Sequence, residues 1–104
     1  MLPVQTKAEV IERLQQQRAQ LRALGVARLG LFGSFVRDEA GPDSDVDLLA
    51  ELESQALTLN GYFAVIDFLE DLLGRPVEVL TRTGLSRHIG PHILREVADV
   101  PLAA

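Results

Sequence analysis

Apolar residues return every three or four positions across the first quarter of the chain. In "TKAEVIERLQQQRAQLRALG", Val10, Ile11, Leu14, Leu21 and Leu24 fall on one helical face, with Gln and Arg between them. Thr6 and Glu9 have the spacing of a capping box, and Gly25 closes the pattern as a glycine just past a helix end does. The spacing predicts a helix over about residues 7–24. The pattern then tightens. "ARLGLFG" predicts a buried strand over about 28–32, and Gly30 inside it weakens the strand while admitting a close neighbour, backbone or ligand. "SFVRDE" predicts a short helix with Ser34 near its start, and "AGPDS" reads as a loop turning at Gly41-Pro42.

Strict alternation follows in "DVDLLAEL". Period two sets Asp45, Asp47 and Leu49 on one face of a strand, and Val46, Leu48 and Ala50 on the other. "LNGYFAVIDFLEDLLG" returns to helical spacing, with Leu59, Phe63, Ile66, Leu69 and Leu73 on one side and Gly74 at the end. "RPVEVLT" predicts a third strand that starts at Pro76, pairs Val77 with Val79 on one face and turns Glu78 to the other. In the tail, Ile93, Leu94 and Val97 predict a last helix opened by Pro91. The order α-β-(α)-β-α-β-α predicts an α/β (α+β) domain, a sheet covered by helices. No internal repeat or low-complexity segment interrupts it.

Composition narrows the class. A chain of 104 residues fits one compact domain, residues 1–104. Such a domain buries roughly 60–70% of its unfolded surface. That suffices for one core but not for two lobes around a deep cleft, so a large substrate needs surface from elsewhere. With 47% apolar and 24% charged residues, the chain has no apolar run near the roughly 20 residues that span a bilayer. "MLPVQTKAEV" lacks the basic start and apolar stretch of a signal peptide, so a cytoplasmic location is expected and no membrane partner. With no cysteine, disulfides and thiolate metal sites are excluded. A net charge of −5 argues against nucleic acid as the main partner, because phosphate-backbone binding needs a basic face. A single nucleotide needs only a local site.

The chemistry concentrates in "LFGSFVRDEAGPDSDVDLL". Asp45-x-Asp47 alone is either an exposed acidic strand face or a clamp aiming two carboxylates at one hard cation such as Mg²⁺. Gly33-Ser34 alone is either a turn with a capping serine or an anion site, where glycine admits a phosphate to backbone N–H groups and serine donates another bond. Together they place phosphate donors and a metal clamp on neighbouring strands joined by one loop. Glu78, between two apolar residues, either faces outward or adds a third carboxylate to the same cleft. Arg37 is either a solvated helix residue or a phosphate ligand. His88 and His92 have helical chelating spacing, but Gly90-Pro91 lies in the way.

Gly33-Ser34, ten residues, then Asp45-x-Asp47 resembles the signature of the polymerase-β-like nucleotidyltransferase superfamily. The surrounding residues look like its minimal prokaryotic members, the MNT-type antitoxins encoded beside HEPN-domain toxins, over about residues 8–97. The resemblance implies a minimal nucleotidyltransferase fold with a small mixed sheet of three to four strands. It implies that Gly33 and Ser34 grip nucleotide phosphates, with Arg37 able to assist. It also implies that Asp45 and Asp47 hold divalent metal, and that Glu78 takes the place of a third carboxylate that is usually Asp. By the same resemblance the cofactor is Mg²⁺ (two ions), ATP is the substrate, and the acceptor is a tyrosine of a HEPN toxin that becomes AMPylated and inactive. Many relatives read "RGEA" where this chain has Arg37-Asp38-Glu39-Ala40, and Asp38 adds a negative charge near the phosphate site. A second reading keeps the fold but neutralises the partner by contact alone. A third makes the chain one subunit of a split small-molecule transferase.

Overall fold

The computed structural model describes residues 2–81 and 90–102. Among these residues, four α-helices and four strands follow one another as α1 (Lys7–Gln16), α2 (Arg18–Ala23), β1 (Val26–Phe32), β2 (Val46–Leu52), α3 (Leu59–Leu73), β3 (Val77–Thr81), α4 (Gly90–Glu96) and β4 (Ala98–Val100), with a 3₁₀ turn at Ser54–Ala56. The strands form one mixed sheet in the order β3-β2-β1-β4. β1 runs antiparallel to both β2 and β4, and β2 runs parallel to β3. α3 is the crossover that a parallel pair requires.

Alternation along β2 sorts the sheet into two faces. Val46, Leu48 and Ala50 are fully buried in a cluster with Val10, Leu14, Leu21, Val65, Leu69 and Leu73 of the helices and with Leu29, Leu31, Val77 and Val79 of the neighbouring strands. On the opposite face Phe32 and Leu49 meet Ile93 of α4, with Leu80 and Val97 packed against them. This second cluster is small, and it leaves the end of the sheet where β2 begins open to solvent.

The predicted first helix is two. Gln17 leaves helical geometry at φ −112° and ψ 24°. Its N–H turns to the Leu14 carbonyl three residues back (3.2 Å), and the Arg18 guanidinium takes the Gln15 carbonyl (2.9 Å). A side-chain donor competing for a helix carbonyl leaves no composition signal, which is why the apolar period runs across the break. Thr6 caps α1 by accepting from the Glu9 N–H (3.2 Å), while Glu9 reaches back to the Gln5 N–H (3.1 Å).

α3 has the predicted bounds, and its buried face keeps Leu69, Leu73 and the partly buried Ile66 of the predicted stripe but not its first two members. Val65, Leu69, Leu72 and Leu73 are buried, with Tyr62, Ile66 and Phe68 flanking them, whereas Leu59 and Phe63 are exposed. Phe63 stands two residues before Val65, nearly opposite it around the helix. The helix is apolar on more than one side, so periodicity alone did not select the stripe. Gly74 ends it in the left-handed region at φ 69°, a conformation glycine adopts without a Cβ clash. "SFVRDE" is not a helix. Residues 33–38 form successive turns, closed by Asp38 N–H to Phe35 O (3.1 Å) and Glu39 N–H to Ser34 O (2.9 Å). β4 has no forerunner in the sequence pattern. It is three residues long and pairs with β1 through Leu29, Gly30 and Leu31. Gly30 faces Val97, whose side chain lies where a Cβ would stand, so the close neighbour expected there is the chain's own C-terminal segment.

Candidate active site

Parallel register sets Asp47 of β2 beside Glu78 of β3. Neighbouring strands lie about 4.8 Å apart, so two side chains at one register position on one face are forced together. Asp47 also opposes Phe32, the last residue of β1, and the chain turns away at Gly33 directly afterwards. The Asp47 carboxylate lies against the Gly33 backbone so closely that a Cβ at Gly33 would run into it. Gly33 has φ 77°, a second reason that only glycine fits. The Asp47–Glu78 pair and the turn at Gly33 thus meet at one end of the sheet. Asp45 sits one residue before β2, exposed. Its charge is felt at Asp47.

The electrostatics follow from that crowding. Partial burial, then the charge of Glu78 and a hydrogen bond with it, then the charges of Asp45 and Glu96, push the Asp47 carboxyl up to about 6. Two carboxylates crowded at one register position fit a place that a cation could occupy. The donor set is oxygen only, which suits a hard divalent ion. Among the described residues, however, no three His, Cys, Asp or Glu side chains are arranged to hold a metal ion, so Asp45, Asp47 and Glu78 approach one another without closing round one point.

Arg37 stands half-exposed in the turns after Ser34, not on a helix. Its guanidinium pairs with Glu39 (3.2 Å) and with Glu96 at the end of α4. Hydrogen bonds to Glu39 and then Glu96 hold its pKa above the ordinary value. The Gly33 N–H also donates to Glu96, at 3.2 Å. Glu96 was not singled out from the sequence. It is 63 residues from Gly33 in the chain, and only the packing of α4 on the sheet brings it there.

Asp38 points away from this site. Its carboxylate accepts from the Lys7 N–H (2.9 Å), at the first turn of α1 where free N–H groups attract a negative charge. Its φ of 54° is left-handed, which explains why glycine suits the same place and why Asp, among the residues that tolerate that region, replaces it here. Arg75 is the second residue that sequence reading missed. It donates to the carbonyls of Val4 (2.7 Å), Gly41 (2.9 Å), Pro42 (3.3 Å) and Ser44 (3.0 Å), and its guanidinium lies over the Phe35 ring at 5.1 Å. It ties the loop that delivers Asp45 to the start of β3. Of the two histidines, His92 is exposed on α4 and His88 lies outside the described residues.

A small mixed sheet that brings a Gly-Ser turn against paired acids on adjacent strands is the architecture of a nucleotidyltransferase. Residues 9–99 match the nucleotidyltransferase domain family, and the chain belongs to it. It is 38% identical over 96 residues to the protein adenylyltransferase MntA of Thermococcus cleftensis, covering 91% of this chain and 96% of that one. Among solved structures, it superposes on a minimal nucleotidyltransferase with a TM-score of 0.71 at 34% identity, covering 85% of this chain and 93% of that one. The same fold recurs in a toxin–antitoxin complex with AMP-PNP, with a TM-score of 0.67 at 15% identity over 91% of this chain and 72% of that one. It recurs again in the complex of a tri-AMPylated Shewanella oneidensis HEPN toxin with its MNT antitoxin, with a TM-score of 0.56 at 14% identity over 84% of this chain and 71% of that one.

Proposed function

We propose that this protein is an antitoxin that transfers AMP from ATP to a hydroxyl, in particular a tyrosine hydroxyl, of a HEPN-domain toxin. The observation that carries this reading is the Asp47–Glu78 pair facing the Gly33 turn. Likeness over nearly the whole chain to a protein adenylyltransferase supports the transferred group, and fold likeness to MNT–HEPN complexes supports the partner. With no described helix long and apolar enough to cross a membrane, the cytoplasm is the proposed location.

In the reaction, the acceptor oxygen attacks the α-phosphorus of ATP in line, the bond to the β-phosphate oxygen breaks, and pyrophosphate leaves. Such a transfer needs positioning and charge neutralisation more than covalent help. Gly33 N–H and Ser34 would hold the β- and γ-phosphates, with Arg37 beside them. Asp45 and Asp47 would hold one Mg²⁺, and Asp47 with Glu78 a second. The ions supply charge neutralisation at the triphosphate and a lowered pKa at the acceptor hydroxyl. Glu78 is longer by one methylene than the usual Asp, roughly 1.5 Å of extra reach. In this reading the HEPN toxin presents the acceptor hydroxyl, as fold likeness to MNT–HEPN complexes supports.

The test is incubation with labelled ATP, Mg²⁺ and the HEPN protein encoded beside it, read by mass. Wild type is expected to add the mass of AMP, and Asp45→Asn/Asp47→Asn none. A second reading, neutralisation by contact alone, is favoured by one observation: the acids do not close round a metal position. It requires that wild type adds nothing and that both versions silence the toxin equally.

A further inference from the structure

We propose that the Glu96 carboxylate is a built-in occupant of the nucleotide phosphate seat, which the incoming triphosphate must displace, so that Glu96 sets nucleotide affinity. The inference rests on the nucleotidyltransferase reading above and goes beyond it. Two of the groups assigned to the phosphates above are the Gly33 N–H and the Arg37 guanidinium, and both donate to this one carboxylate. Glu96 reaches them with one oxygen each, Oε2 to Gly33 and Oε1 to Arg37. That is the bidentate manner in which an anion bridges a backbone donor and an arginine. Its side chain is only 18% exposed, so it is seated in the site and not waving above it.

A backbone N–H aimed at one carboxylate oxygen is not free for a phosphate oxygen. Both ligands are anions, and Asp47 stands close enough for the Glu96 charge to act on it. Phosphate and Glu96 therefore exclude each other by hydrogen-bond occupancy and by repulsion. Displacement does not require α4 to move. Ile93 anchors that helix in the cluster with Phe32 and Leu49, while Glu96 is its last residue, so rotation of the side chain suffices. An internal anion keeps Gly33 and Arg37 satisfied when nucleotide is absent and lowers the net affinity for nucleotide when it arrives.

The experiment measures ATP binding with Mg²⁺ by calorimetry for wild type, Glu96→Gln and Glu96→Ala, with no toxin present. The variants are expected to bind about 10-fold more tightly, the size of one exchanged hydrogen bond. Equal or weaker binding by the variants overturns the role of Glu96 and leaves the transferase reading standing. Absence of ATP binding by all three overturns both. A measurement on wild type alone covers the case in which the variants do not fold: nuclear magnetic resonance of the Gly33 amide and the Glu96 carboxylate carbon during ATP titration. Both signals are expected to shift together along one binding curve. A Gly33 shift with an unmoved Glu96 carboxylate overturns the proposal.

Discussion

The two faces of the sheet are built from the same strands and ask opposite things of them. On one face of β2, Val46, Leu48 and Ala50 are each 0% exposed and packed beneath α1 and α3. On the other, Asp47 is half-buried beside a second carboxylate while Leu49, two residues on, meets Ile93. The first face is saturated with apolar contact. The second is crowded with like charge at one end and holds a small apolar cluster in the middle. A strand can hold such a site only because its other face is secured. The core contributes stability that the crowded acidic end gives up.

Substitutions on the two faces should therefore separate function from stability. The largest effect expected is on chemistry. Asp47→Asn should lower AMP transfer by about 10³-fold, the scale for removing an electrostatic stabiliser of a transition state. The same change should raise the melting temperature of the metal-free protein at neutral pH, since it removes a crowded charge. A variant that loses both activity and stability would break the contrast.

Across the strand, Leu48→Ala should cost about 2–5 kcal/mol of unfolding free energy in urea titration, the range for emptying a buried leucine site. Its metal and nucleotide affinities should stay near wild type in whatever fraction remains folded.

A smaller effect should appear with pH. The Asp47 carboxyl is raised from 3.8 to about 6 in the fold, so the native state binds more protons than the unfolded state between those values. The contribution of this group to stability then falls as pH rises from about 4 to about 6, and its full penalty stands above that. Mg²⁺ should accordingly raise the melting temperature more at pH 7.5 than at pH 5, and Asp47→Asn should shrink that difference. An equal shift at both values would sink the idea that the acids crowd one another.

The smallest effect expected is at Asp38. Asp38→Ala removes the acceptor for Lys7 N–H and places alanine in a left-handed turn, at a cost of about 1 kcal/mol in chemical denaturation. ATP binding should be unchanged, because the side chain faces α1. A tighter nucleotide complex would mean that its charge does reach the phosphate site.

Local features were legible where one physical rule acted alone. Thr6 with Glu9 marked the start of α1, Gly25 and Gly74 marked ends, and period-two alternation assigned both faces of β2 and β3 correctly. Asp47 was readable as turned away from the core by alternation, and Gly33 as a place where a neighbour comes close. Legibility failed where two rules competed. α3 offered two apolar sides, and packing chose the one through Val65. The 33–38 segment had helical composition, but Asp38 took a left-handed turn. Glu96 and Arg75 carried no local signal at all, since an isolated charged residue in a mixed segment is most often solvated.

What the sequence determined by itself was the alternation that turns Asp47 away from Val46 and Leu48, and Glu78 away from Val77 and Val79, together with a glycine where no side chain fits. Those follow from bond geometry and the period of a strand, which need no distant partner. Tertiary structure alone decided that β2 and β3 lie in register, that α4 lays Glu96 across the Gly33 N–H, and that Arg75 ties the loop before Asp45. Each of these joins segments far apart in the chain, and such contacts exist only once the core on the opposite face has fixed the strands in place.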